Sequence, residues 1–243
     1  DTFGGGIYGT GSLDSYIPNA RADNALVWLG KFNGWTLGAE YSFGRDTVNA
    51  GPSPAGTNCP GESTDAQACR QWSVMAKYDT PNWGFAVAQD RMNGRNVGAS
   101  PDAIFGGLNA TSKTDTRQML NGWVKVAGAK IGAGVVRRKN DGNATVPESD
   151  LSYLGVSAPL TPKLTLAAQW SALNYAANSD FNASLIAVRG TYALFKGTEL
   201  FAQVGNIQNN AKSAVSVSGG ATGSNPLAGA SQTAVDFGVR FSF

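Results

Sequence analysis

The chain has no histidine, and charged residues make up 15% of its 243 positions, against roughly 25% in ordinary soluble domains. Without an imidazole, neither a Ser-His nucleophile nor a histidine-ligated metal site can be built from these residues, so no catalytic function is expected. No cofactor is expected either. Nowhere do the apolar residues run to the roughly 18–20 in succession that a membrane-spanning helix needs. Basic runs are also missing, and a net charge of +2 is too small for the electrostatic footprint of a nucleic-acid binder. Cysteine is scarce. Cys59 and Cys69 lie in the polar stretch GTNCPGESTDAQACRQW, at a spacing that suits neither a zinc pair nor a redox Cys-x-x-Cys. A local disulfide tying a surface loop, made in an oxidising compartment, is the better reading; two unpaired thiols are the alternative.

What is abundant is glycine, at 31 residues, together with Asn, Ser and Thr, the composition of a β-rich chain with many turns. The closing stretch VDFGVRFSF places Val235, Phe237, Val239, Phe241 and Phe243 on one face of a strand and Asp236, Gly238, Arg240 and Ser242 on the other. The same period of two recurs upstream: Trp35, Leu37, Ala39 and Tyr41 alternate with Thr36, Glu40 and Ser42, and Trp72, Val74, Ala76 and Tyr78 with Ser73, Lys77 and Asp79. Leu120, Val124 and Val126 oppose Asn121 and Lys125, and Leu164, Leu166, Ala168 and Trp170 oppose Thr165 and Gln169. Ile186, Val188 and Tyr192 flank Arg189, and Leu200, Ala202 and Val204 alternate with Glu199 and Gln203. Such a pattern predicts strands with one apolar and one polar face. In a soluble sandwich the apolar faces would meet in a core. In a transmembrane barrel they face lipid while the polar faces line a wet interior.

Two features favour the barrel. The links KFNG, TPN, AGAK, APLTPK and LFKGT are short, whereas the alternate links near 45–70, 91–115, 138–150, 172–182 and 206–231 are longer. Transmembrane barrels sort their connections in this way, with short periplasmic turns and long external loops. Second, Trp35, Tyr78, Trp83, Tyr192, Phe241 and Phe243 stand beside the short turns on the apolar faces, where an interfacial aromatic girdle belongs. The expected fold is therefore an all-β transmembrane antiparallel barrel. About eleven strands are visible, an odd number, whereas bacterial single-chain barrels have even ones. The count predicts further strands before residue 1.

The segments RADNALVWLGKFNGWTLGAEYSFG, VSAPLTPKLTLAAQW, RGTYALFKGTELFAQVGN and FGVRFSF, in that order, resemble the general diffusion porins of Gram-negative bacteria, most closely the β-proteobacterial type. The resemblance covers residues 21–243 and implies a homotrimer of about sixteen-stranded barrels in the outer membrane. In such a barrel a long loop folds into the lumen and narrows the pore. Residues 1–20 would be the end of that constriction loop and 21–243 the transmembrane strands with their loops and turns. The terminal Phe243 would carry the signal read by the barrel-assembly machinery.

The implied function is passive diffusion of ions and small hydrophilic solutes, with membrane lipid as the partner of the outer wall. Selectivity would come from fixed charge at the narrowest point. Asp14 is the candidate loop acid, Arg21 and Asp23 stand where the loop meets the wall, and Glu40, Lys77, Lys125 and Arg189 are the candidate wall charges. Arg189 stands out because it interrupts the otherwise apolar strand IAVRGTY. A substrate-specific channel for sugars or anions is the closer rival. It would show aromatic slides or basic ladders, and only Trp123 and Phe201 are expected on inner faces. A barrel enzyme or a plugged translocator is the more distant one. Residues 206–231 are expected to form a flexible external loop.

Overall fold

The computed structural model describes residues 13, 24–44, 65–94, 107–218 and 223–242. Among these residues eleven strands follow one another: β1 (Ala25–Phe32), β2 (Trp35–Ser42), β3 (Gln71–Asp79), β4 (Trp83–Asn93), β5 (Thr114–Val126) and β6 (Ala129–Asn140), then β7 (Glu148–Pro159), β8 (Leu164–Tyr175), β9 (Ala183–Phe195), β10 (Thr198–Asn209) and β11 (Gln232–Phe241). They form one sheet in chain order, each strand antiparallel to the next. Among the described residues no helix is long and apolar enough to cross a membrane, which says nothing against crossing by strands.

Local chemistry explains the short-turn rim. Asn33-Gly34 and Ala127-Gly128 both have positive φ at each residue, 46° and 83° in the first and 49° and 83° in the second. That pair of signs is the tight hairpin turn whose twist matches the flanking strands, and glycine in second place adopts it without strain. Thr80 closes the next turn. Its hydroxyl donates to the Trp83 carbonyl at 2.7 Å and accepts from the Trp83 amide at 3.0 Å.

The register puts every residue of the apolar series on one face, here the outer face. Leu26, Tyr41, Trp72 and Arg91 are successive cross-strand neighbours, as are Val124, Ile131, Val156 and Ala168. These side chains are uncovered: Phe237 is 83% exposed, Trp28 56% and Trp170 49%. A water-soluble body rarely leaves a contiguous apolar surface of this extent open. Beside the short turns, Trp35, Tyr78, Trp83 and Phe85 make ring contacts with centroids 5.0 to 6.4 Å apart, forming part of the expected girdle.

Two differences from expectation concern the polar side. The strands run further toward the long loops than alternation indicates, so the link expected at 138–150 shrinks to 141–147. The reason is that the outer face of these extensions is itself polar. Arg137 of β6 grips Asp150 of β7 with two bonds of 2.8 and 2.9 Å, and Lys139 pairs in register with Glu148. Strands of 12 and 13 residues (β5 to β10) exceed the roughly 9–11 needed to span the hydrocarbon, and the surplus projects beyond it.

The second difference is on the inner face, which is not uniformly polar. Val136, Leu151, Leu173, Leu185, Ile207 and their neighbours form a buried apolar cluster completed by Leu13 and Val217. Val217 belongs to the segment expected to be a flexible loop. Instead Asn209 holds residues 213–215, accepting from the Ser213 hydroxyl and the Val215 amide at 2.7 and 2.9 Å. Gln232 accepts the Val217 amide at 2.9 Å. Two strand-end amide side chains thus fold this stretch back over the inner face, and the valines within a Ser/Gly-rich run are the signal that could have revealed it.

On the long-loop side, Asp65 ties two loops together. Its carboxylate accepts the Gln67 amide at 2.9 Å and the Thr111 hydroxyl at 2.7 Å, and with Arg70 nearby these bonds hold its pKa below the usual 3.8. A depressed folded pKa adds stability above the unfolded value and loses it as pH falls through the folded one. Amide exchange at Gln67 should therefore stay slow as pH drops to 3.8 and accelerate only below it, whereas loss of protection already above 3.8 would contradict the tie. Cys69 is disulfide-bonded; Cys59 lies outside the described residues.

Candidate functional site on the inner face

The inner face of the sheet is a grid whose rows are set by strand register. Lys125, Lys130, Ser157, Ala167, Arg189, Gln203 and Asp236 lie in one row from β5 to β11, which starts beside the short turn at Lys125 and reaches mid-strand at Arg189 and Gln203. The next row contains Asp79, Gly84, Trp123 and Gly132. Toward the long loops, Glu40, Ser73, Asp90, Arg117 and Arg138 are successive neighbours from β2 to β6.

The four expected wall charges all face this side, but they occupy three separate rows and do not form one cluster. Glu40 stands in the row toward the long loops and accepts weakly from the Ser73 hydroxyl at 3.5 Å. Lys77 sits lower, ion-paired to Asp79 at 2.7 Å with both side chains partly exposed. Lys125 and Arg189 share one row, beside the short turn at Lys125 and mid-strand at Arg189. Arg189 donates from Nε to Gln203 Oε1 at 2.6 Å, and Gln203 passes the link to Asp236 at 3.0 Å. Its guanidinium also lies 6.0 Å from the Phe201 ring centre. Asp14, Arg21, Asp23 and the terminal Phe243 fall outside the described residues.

Alternation misses the strongest charge assembly on the face. Asp115 is inaccessible and receives Arg138 through Nε and Nη2 at 3.1 and 2.8 Å, with Arg117 Nη1 at 3.1 Å. The two arginines have side-chain exposures of only 16% and 6%. Asp115 and Arg138 stand at the margins of the long links expected at 91–115 and 138–150, beyond the reach of the apolar alternation. A signal existed in DTRQM, where Asp115 and Arg117 two residues apart must share a strand face. Asp90, directly opposite Arg117, takes a hydrogen bond of 2.9 Å from Gln71. Trp123 and Phe201 face inward as expected, and the register adds Tyr153 and Tyr175 to them.

The fold that carries this arrangement has counterparts of known structure. No curated protein sequence matches the chain. An anion-selective porin from Comamonas acidovorans superposes with a TM-score of 0.69 at 20% identity, over 92% of this chain and 60% of the other. OmpT, an outer membrane protein of Vibrio cholerae folded in vitro, gives 0.62 at 13% identity over 99% and 70%. Salmonella typhi OmpF, solved in complex with daunomycin, gives 0.61 at 11% identity over 98% and 66%. The chain thus spans 60% of the length of the Comamonas porin, and at these identities the likeness speaks for the fold. A Gram-negative porin family profile matches residues 1–212; the chain belongs to the Gram-negative porin family, and its eleven strands are those of an outer-membrane β-barrel.

Proposed function

We propose that the protein forms a water-filled channel for passive diffusion of ions and small hydrophilic solutes, assembled as a homotrimer, with no catalytic step. The division between the two sheet faces carries this reading. Apolar side chains as exposed as Phe237, at 83%, are tolerable only against hydrocarbon, while charged rows such as Lys125, Lys130 and Arg189 need water. Membrane lipid covers the outer wall, the short turns face the periplasm, and Phe243 serves the assembly machinery. Residues 1–20 form the end of a lumen-folded constriction loop; the packing of Leu13 among inner-face residues supports that assignment. Asp14 is its candidate acid, and Arg21 and Asp23 are the candidate charges where it meets the wall.

Reconstitution into a planar bilayer under a salt gradient tests the channel directly. Stepwise ohmic conductance is expected, and a folded protein without conductance would refute it. Within such a channel Arg189 is a fixed cation held by Gln203. Arg189→Glu replaces it with an anion, so the reversal potential should move toward cation preference by several millivolts under a tenfold gradient. An unmoved potential would mean that Arg189 lies off the ion path.

A further inference from the structure

The short-turn end of the inner face holds an arrangement that general diffusion does not call for. Trp123 of β5 donates from its indole nitrogen to Asp79 Oδ1 of β3 at 3.1 Å, reaching across β4, the strand between them. The reach is possible because Gly84 occupies the intervening register position. A Cβ there would stand 2.5 Å from Asp79 Oδ1 and 2.6 Å from the indole nitrogen. The other Asp79 oxygen takes Lys77 at 2.7 Å, so the only carboxylate in the group is engaged twice.

Around this bridge stand two more ammonium groups. Lys130 Nζ lies 4.5 Å from the Trp123 ring centre and Lys125 Nζ 5.8 Å from the same centre. Lys125 and Lys130 are direct cross-strand partners. Like charges placed opposite each other destabilise a sheet, and among the described residues no carboxylate lies within ion-pair distance of either. Three cations thus share a single acid at one mouth of the inner face. A ligand with several negative oxygens would relieve that repulsion, each oxygen taking a charge-assisted bond from an ammonium group.

We propose that Lys125 and Lys130, with Lys77 beside them and the Trp123–Asp79 bridge fixing the floor, form a binding station for polyvalent oxyanions of the phosphoester class, entered from the short-turn mouth. This deepens the channel reading and rests on it for the route of entry. The station concentrates such anions at one end of the lumen, which makes the channel respond differently to them from its two sides.

The probe is inorganic tripolyphosphate. Calorimetry on the folded protein in detergent should register saturable binding that weakens as salt is raised. Changing Lys125→Gln and Lys130→Gln together should weaken it about tenfold or more. Changing Lys163→Gln and Lys196→Gln, which removes the same charge from two other short turns, should leave the affinity intact. In bilayers, tripolyphosphate should reduce conductance at lower concentration from the short-turn side than from the long-loop side, and the Lys125/Lys130 variant should lose that difference. Absence of binding, equal loss in both double variants, or blockade indifferent to side and variant would overturn the proposal. Calorimetric binding without conductance would instead count against the channel alone, because calorimetry needs no open pore.

Discussion

Asp115→Ala is expected to destabilise the folded protein by about 3–5 kcal/mol, the cost of leaving buried charge without its counter-ion. Asp115 is inaccessible and is the carboxylate gripped by both Arg138 and Arg117. Deleting it removes the carboxylate shared by two guanidinium groups that water reaches poorly, since their side-chain exposures are 16% and 6%. Asp115→Asn keeps an acceptor but loses the charge, so its cost should be smaller. Adding Arg138→Met to Asp115→Ala should recover part of the loss by removing one of those buried cations. Urea unfolding followed by tryptophan fluorescence gives the free energies, and cold-gel mobility reports the folded fraction. A loss under about 1 kcal/mol, typical of solvent-exposed pairs, would mean that water screens the trio.

The second large effect is predicted on the opposite face. Val204 is 40% exposed on the outer side of β10, amid Val188 and Val235 on the adjoining strands. Val204→Arg puts a guanidinium against hydrocarbon and should cost about 2–4 kcal/mol in a bilayer, the usual penalty near the midplane of a barrel. Ser157→Arg, on the inner side of β7 between Lys130 and Ala167, should cost well under half of that, because water reaches it. Unfolding from lipid vesicles compares the two. Equal costs would show that hydrocarbon does not cover the apolar face.

The contrast between those two substitutions also explains what the sequence made legible. Eleven strands and both faces could be read because a slip of one residue would turn every apolar side chain inward, which makes alternation unambiguous wherever one face meets lipid. Lys77, Lys125 and Arg189 fell out of the same pattern. It failed where the outer face turns polar, at Arg137, Lys139, Glu148 and Asp150, and with it went Asp115 and Arg138. Nor could one strand's pattern show that Trp123 reaches Asp79 over Gly84. That contact depends on the relative register of three strands, which periodicity within each does not encode. The fold of residues 213–218 depends on two amide side chains, Asn209 and Gln232, whose partners lie in separate segments.

In the proposed channel, the packed patch that Leu13 and Val217 complete against β6 to β10 forms a solid apolar lining on part of the wall. Electrolyte does not compress close-packed hydrocarbon side chains. Along that stretch the proposed bore is set by steric bulk, so ionic strength would tune which ions are favoured there without altering how large a molecule fits.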